Sequence, residues 1–187
     1  MAHEPLISIA PALVAQVEAL GAALRARGWR LATAESCTGG LVAGACTAPA
    51  GASDWFTTGF VTYANEAKQS VLGVPATTLG NFGAVSAETA EAMARGALAR
   101  GNAQLALGVT GVAGPGGGSP AKPVGTVWLG LAWSRGEPGA VGVRAERLQL
   151  SGDRDAIRAA TVAAGLARLL AVARDGDARA LGEAAAP

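Results

Sequence analysis

Histidine is all but missing from this chain: its 187 residues hold one, His3, close to the N-terminus. That excludes a Ser-His-Asp triad, a Cys-His pair and any metal site built on histidine. Acid–base chemistry near neutral pH would fall instead to a Lys, Asp, Glu, Tyr or Cys with a shifted pKa. Cysteine is nearly as scarce. Cys37 and Cys46 have no metal-type spacing, so we expect a reduced, cytoplasmic protein with no structural disulfide, no metal and no cofactor. Aromatic residues make up 4% of the chain, so the core must be built from Ala, Val and Leu. The formal net charge is +1, with no basic run or stripe, which argues against nucleic acid as the main partner. No apolar run reaches the roughly 18–20 residues of a membrane span. The N-terminus lacks the basic segment and apolar stretch of a signal peptide, so neither membrane association nor export is expected.

Lysine is the most informative shortage. Of 15 Lys and Arg residues only Lys68 and Lys122 are lysine. Arginine cannot lose its proton in a protein, whereas lysine can once its ammonium form is disfavoured. The abundance of Ala, Arg and Gly also reads as a coding bias, which weakens this argument for any exposed position. Lys68 closes the stretch Tyr63-Ala64-Asn65-Glu66-Ala67-Lys68, and upstream lies Ala34-Glu35-Ser36-Cys37-Thr38-Gly39-Gly40. A serine before a Gly-Gly turn, together with a rare lysine, points to a Ser/Lys hydrolase. A solvated helix lysine is the plainer alternative.

Apolar spacing from Leu13 to Leu24 predicts a helix over Pro11–Arg27, stopped by Gly28. Strands are expected at Leu31–Glu35, Gly59–Tyr63, Leu105–Thr110, Thr126–Trp133 and Val141–Leu150. Further helices are expected from the Gly39-Gly40 turn through about Cys46, from an Asn65 cap to Leu72, from a Ser86 cap to Arg100, and from Ser151-Gly152-Asp153 to about Ala173. Gly111–Val124 reads as a long Gly/Pro loop. Strand–helix alternation followed by two adjacent strands implies a three-layer α/β/α sandwich with a mixed, mostly parallel sheet. We expect a single domain over residues 1–187, with an ordered core at about 8–174 and a flexible tail at 175–187.

Ligands in such sheets bind at the carboxyl ends of strands. Ser36 follows the first strand, Tyr63 ends the second, Thr110 ends the third, and Arg154 follows the last. Each alone is more simply a turn or cap residue; their coincidence is what points to a site. Lys68, in the first turn of its helix, would have its ammonium form disfavoured by the helix end and by burial. Tyr63, the only tyrosine, could orient the amine. Backbone N–H groups near Gly39 and Gly40 are candidate oxyanion donors. Arg154 and Arg158 could bind phosphate or be solvated surface residues. Gly114–Pro120 could approach a phosphate or be a flexible hairpin, and Cys37 is a rival nucleophile.

Six segments carry a resemblance: Thr33–Gly40, Gly59–Lys68, Gly83–Ser86, Thr110–Pro115, Lys122–Thr126 and Ser151–Arg154. In this order they resemble the C-terminal-domain family of the competence/damage-inducible protein CinA, over roughly residues 10–172. The resemblance implies hydrolysis of the carboxamide of nicotinamide mononucleotide to the nicotinate form and ammonia. It makes Ser36 the nucleophile, Lys68 its base, and Tyr63, Thr110 and Arg154 orienting or substrate-binding residues. Glu35, Thr38, Gly39, Gly40, Asn65, Gly111 and Gly114 lie in the same segments and are expected to contact substrate. Lys122 is the competing lysine. The pyrophosphatase activity of longer members belongs to a domain without counterpart here and is not carried over. A homo-oligomer is expected. The alternative is a non-catalytic nucleotide-binding or competence-associated partner of the same fold.

Overall fold

Along the third strand, Leu105, Leu107 and Val109 alternate with Ala106, Gly108 and Thr110, and this alternation separates the two faces of the sheet. The computed structural model describes residues 11–134, 136 and 139–177. His3, the expected start of the core at residue 8, and the tail beyond residue 177 lie outside the described residues. Helix α1 (Pro11–Arg27) leads into β1 (Leu31–Glu35), α2 (Leu41–Thr47) and β2 (Phe56–Val61). Three helices follow: α3 (Asn65–Leu72), α4 (Ala76–Phe82) and α5 (Ala87–Arg100). Strands β3 (Leu105–Gly111), β4 (Thr126–Ser134) and β5 (Val141–Gln149) then precede α6 (Arg154–Asp175).

The five strands lie in the order β2-β1-β3-β4-β5. β1 pairs in parallel with β2 and β3, whereas β4 pairs antiparallel with β3 and β5. The sheet is mixed, as the element pattern implies, with parallel pairing among the first three strands. This topology brings the carboxyl ends of β1 and β3 to the edge where β4 begins, because Gly111 pairs with Val127.

One face is built from large aliphatics. Leu31, Leu107, Leu129 and Leu131 pack there against Val17, Leu20 and Leu24 of α1 and against Ile157, Leu166 and Leu169 of α6. α6 is long and apolar enough, by length and composition only, to cross a membrane, with a mean hydropathy of 1.6 over its best window. Here those apolar residues form the core under the sheet.

The opposite face is built from small residues: Ala32, Ala34, Ala106 and Ala132, with Gly108 opposite Gly130 in neighbouring strands. Glycine is required at that pair because the backbone of α5 lies directly upon it. A Cβ at Gly108 or Gly130 would come within 2.4 or 2.2 Å of the Ala90 carbonyl oxygen. No flexible side chain is present to yield. Gly130→Ala is therefore expected to destabilise the fold by about 1–3 kcal/mol or more, as overpacking does elsewhere. A urea melt checks this; an unchanged midpoint would mean that α5 can rise off the sheet at little cost.

Four local expectations need correction. β2 begins at Phe56 and ends at Val61, so Tyr63 lies beyond the strand. Asn65 is the first residue of α3 rather than its cap; Ala64 holds that position and no side chain caps the helix. α4 has no counterpart in the sequence reading: Ala76-Thr77-Thr78-Leu79-Gly80-Asn81-Phe82 buries no residue, so it leaves no apolar periodicity. α6 also continues to Asp175, making the start of the expected tail helical.

Candidate active site

The turn after β1 is shaped by two glycines and one carboxylate. Gly39 and Gly40 adopt φ values of +61° and +97°, in the left-handed region that glycine reaches without strain. They reverse the chain into α2, whose first N–H groups need acceptors. Glu35, completely buried, supplies them: its carboxylate accepts from the N–H groups of Gly40 (3.1 Å), Val42 (3.0 Å) and Ala43 (2.8 Å). Glu35 is thus turned inward as the cap of α2. Ser36 is left at the mouth of the turn, its N–H bonded to the Val109 carbonyl at 2.9 Å.

Both N–H groups expected as oxyanion donors are engaged within the turn. The Gly40 N–H is held by Glu35, and the Gly39 N–H donates to the Ser36 carbonyl at 3.0 Å. The Cys37 and Thr38 N–H groups have no backbone or side-chain acceptor in another residue among those described. They are the donors that the turn leaves open beside Ser36.

Lys68 enters from α3 and is 1% exposed. Its Nζ lies 3.2 Å from Ser36 Oγ, 3.0 Å from the Thr62 carbonyl oxygen and 3.1 Å from the Tyr63 carbonyl oxygen. A neutral amine has two N–H donors and one lone pair. The two carbonyls take the donors, and the lone pair is left for the Ser36 hydroxyl to donate into. Burial holds the Lys68 pKa below the usual lysine range; nearby Cys37 and Glu66 pull in the opposite direction. The Cys37 pull requires a thiolate, yet burial pushes that thiol up to about 11, so near neutral pH burial prevails. The same shift makes Cys37, 6% exposed, a poor rival nucleophile.

Tyr63 reaches Lys68 through its main chain only. Its exposed phenol accepts instead from Arg154 Nη2 at 3.2 Å, correcting the expectation that the ring orients the amine. Arg154 Nη1 donates to the Gly114 carbonyl at 2.8 Å, so one guanidinium ties α6 to Tyr63 and to the glycine loop. Gly114 has φ +78°. Thr110 is 1% exposed and its hydroxyl donates to the Ala84 carbonyl at 2.6 Å, which anchors the approach to α5. Gly111 is excluded from larger substitution by the Thr126 carbonyl, 2.7 Å from where a Cβ would lie. Asn65 is exposed beside the site and makes no side-chain hydrogen bond. Thr38 is buried with an unpartnered hydroxyl, and its carbonyl accepts from Arg158 Nη2 at 3.2 Å.

Lys122 donates from Nζ to the Phe82 carbonyl at the end of α4, at 2.9 Å, which removes it from competition for Ser36. Thr62 is the contact that sequence reasoning missed; its contribution is a carbonyl, for which no side-chain signal exists. Among the described residues no three His, Cys, Asp or Glu side chains gather into a metal-binding group.

The model of the CinA C-terminal domain matches residues 14–173. A nicotinamide-nucleotide amidohydrolase PncC from Pseudomonas putida is 54% identical over 151 residues, covering 81% of this chain and 91% of that protein. The protein of the same name from Escherichia coli strain K12 is 52% identical over 141 residues, covering 75% and 82%. A CinA-like protein from Geobacter sulfurreducens is 52% identical over 142 residues, covering 76% of this chain but 33% of that longer protein. Among solved structures, the competence/damage inducible protein CihA from Agrobacterium tumefaciens superposes with a TM-score of 0.83 at 44% identity, covering 89% of this chain and 99% of its own. A CinA superfamily protein from Klebsiella pneumoniae gives 0.79 at 38% identity, covering 86% and 97%. With a family model spanning most of its length and relatives above half identity, the chain belongs to the CinA C-terminal domain family.

Proposed function

We propose that this chain hydrolyses the carboxamide of nicotinamide mononucleotide, giving nicotinate mononucleotide and ammonia, with Ser36 as nucleophile and Lys68 as its base. The observation that carries the mechanism is the 3.2 Å approach of Lys68 Nζ to Ser36 Oγ, with both amine hydrogens directed to fixed carbonyls. The names of the Pseudomonas and Escherichia relatives support the substrate.

Lys68 takes the Ser36 proton as Oγ attacks the carboxamide carbon. Negative charge develops on the former carbonyl oxygen, beside the open Cys37 and Thr38 N–H groups. The Lys68 ammonium returns its proton to the departing nitrogen, and ammonia leaves an ester on Ser36. Water, activated by the neutral amine, then attacks the ester and restores the hydroxyl. Arg154, with two of its five donors engaged by the protein, supports a further role in holding the phosphate. The described residues form one catalytic domain in this reading. It acts in the cytoplasm as a homo-oligomer, on a free nucleotide rather than on nucleic acid or at a membrane; the near-neutral charge of +1 supports the preference for a small ligand.

The direct test is ammonia release from nicotinamide mononucleotide, with and without EDTA. Ammonia is expected at the same rate in both. Absence of ammonia would sink the reaction, and loss of activity that added metal restores would sink the metal-free mechanism. Arg154→Ala is expected to raise KM for the mononucleotide about tenfold more than for the unphosphorylated riboside, the scale of one charge-assisted hydrogen bond. Parallel KM values for the two substrates determine this; equal effects would remove the phosphate role and leave Arg154 as the tie to Gly114 and Tyr63.

A further inference from the structure

Arg158 stands one turn beyond Arg154 on the same face of α6, but its guanidinium reaches other partners. Its Nη2 donates to the Thr38 carbonyl at 3.2 Å, and its Nη1 lies 3.6 Å from Asp155. Its Nε is buried without a partner. The side chain is 25% exposed, and the site of a Cβ on Gly39 would be 3.6 Å from Nη2. The guanidinium therefore lies against the Ser36 turn, tied to it by the Thr38 carbonyl.

From that point the hydrogen bonds run in series. Arg158 pulls on the carbonyl of the Thr38–Gly39 peptide. The N–H of the same peptide, on Gly39, donates to the Ser36 carbonyl at 3.0 Å. That carbonyl belongs to the Ser36–Cys37 peptide, whose N–H is the open donor beside the nucleophile; its nearest acceptor is the weakly accepting sulfur of Cys37 itself. Resonance makes each peptide a conductor: electron density drawn onto its oxygen leaves its N–H more positive. A charge-assisted bond at the start strengthens the bonds after it.

We propose that Arg158 is a positioning residue for the hydrolysis, acting through the Thr38–Gly39 and Ser36–Cys37 peptides to aim and polarise the Cys37 N–H toward the oxyanion that forms on Ser36 attack. The inference rests on the reaction proposed above. The N–H of the residue after the nucleophile serves as an oxyanion donor in other serine hydrolases, on an unrelated turn. Thr38 O also accepts from the Leu41 N–H at 3.3 Å, so losing Arg158 does not leave that carbonyl without a donor.

The test compares wild type with Arg158→Gln and Arg158→Lys in two measurements. In steady-state kinetics on nicotinamide mononucleotide, Arg158→Gln should lower kcat on the order of 10–100-fold, below the ~100–1,000-fold loss for deleting an oxyanion donor outright. KM should stay within about threefold, since the effect belongs to the transition state. Arg158→Lys should recover part of the loss. In two-dimensional amide NMR spectra without substrate, the Gly39 and Cys37 resonances should both move upfield in Arg158→Gln, and less in Arg158→Lys. A raised KM with unchanged kcat would overturn the proposal in favour of direct substrate binding. A Gly39 shift with an unmoved Cys37 would also overturn it, because the series would then end at Ser36. If Arg158→Gln does not fold, Arg158→Lys carries both measurements, and full loss of kcat there with wild-type amide shifts overturns the relay. The NMR measurement needs no turnover, so a wild type that releases no ammonia would refute the reaction while the amide shifts still decide the relay.

Discussion

Lys68→Arg is expected to be almost as inactive as Lys68→Ala, each about 10⁴-fold or more below wild type in kcat/KM, because loss of a base that works as a unit with its nucleophile costs nearly the whole effect. Arginine retains the positive charge, so a lysine acting only by charge would tolerate the change in part. A base must be neutral before it accepts a proton, and the guanidinium never is. The pH dependence follows from the direction of the Lys68 shift. Burial lowers its pKa, so activity should rise on an acid limb as the amine deprotonates, and that limb should lie below the ordinary lysine range near ~10.4. Stability has the same sign. Below its folded pKa the buried amine is protonated in both states and its desolvation cost is carried in full; the cost fades as pH rises toward the unfolded value. Lys68→Met should remove that pH-dependent part of the melting temperature. Measuring kcat/KM against pH for wild type, Lys68→Arg, Lys68→Ala and Lys122→Arg decides the assignment. Substantial activity in Lys68→Arg would end it. Lys122→Arg should be mild, since the Phe82 carbonyl accepts from either side chain.

Ser36→Ala should abolish turnover, with a loss of about 10⁴–10⁶ in kcat as for other covalent nucleophiles, while leaving the fold intact. The Ser36 N–H bond to Val109 and the carbonyl bond from Gly39 are main-chain contacts that alanine preserves. Lys68 keeps both carbonyl acceptors. Thermal melts should therefore agree closely between the variant and wild type, and the alanine variant should no longer form an acyl-enzyme detectable by intact mass. Near-wild-type turnover by Ser36→Ala, together with an inactive Cys37→Ala, would transfer the nucleophile to the neighbouring sulfur.

The sequence made the site's membership legible better than its division of labour. Ser36 and Lys68 stood out by residue type, the first ahead of the Gly39-Gly40 reversal and the second in the first turn of α3. Helices α1 and α5 were legible for the same reason, with apolar spacing and a Ser86 hydroxyl that accepts from the Thr89 N–H. What stayed hidden is main-chain chemistry. Nothing in a residue list says that Thr62 and Tyr63 act through carbonyls, or that the chain must leave β2 at Val61 to deliver them. Glu35 misled for a related reason. It lies in a segment that carries the resemblance, but three N–H groups at the start of α2 draw its carboxylate inward and engage the Gly40 N–H.

The scarcity of lysine has a consequence for chemical modification. Amine-reactive reagents acylate neutral, accessible amino groups, and arginine does not react with them. Among the described residues only Lys68 and Lys122 carry an amine, the first 1% exposed behind Ser36 and the second half-buried on a loop. Lys68 combines the lowered pKa that favours acylation with a position that keeps bulk reagents out. Between the two lysines, coupling a dye or a support through amines is directed to the loop at Lys122 rather than to the buried Lys68.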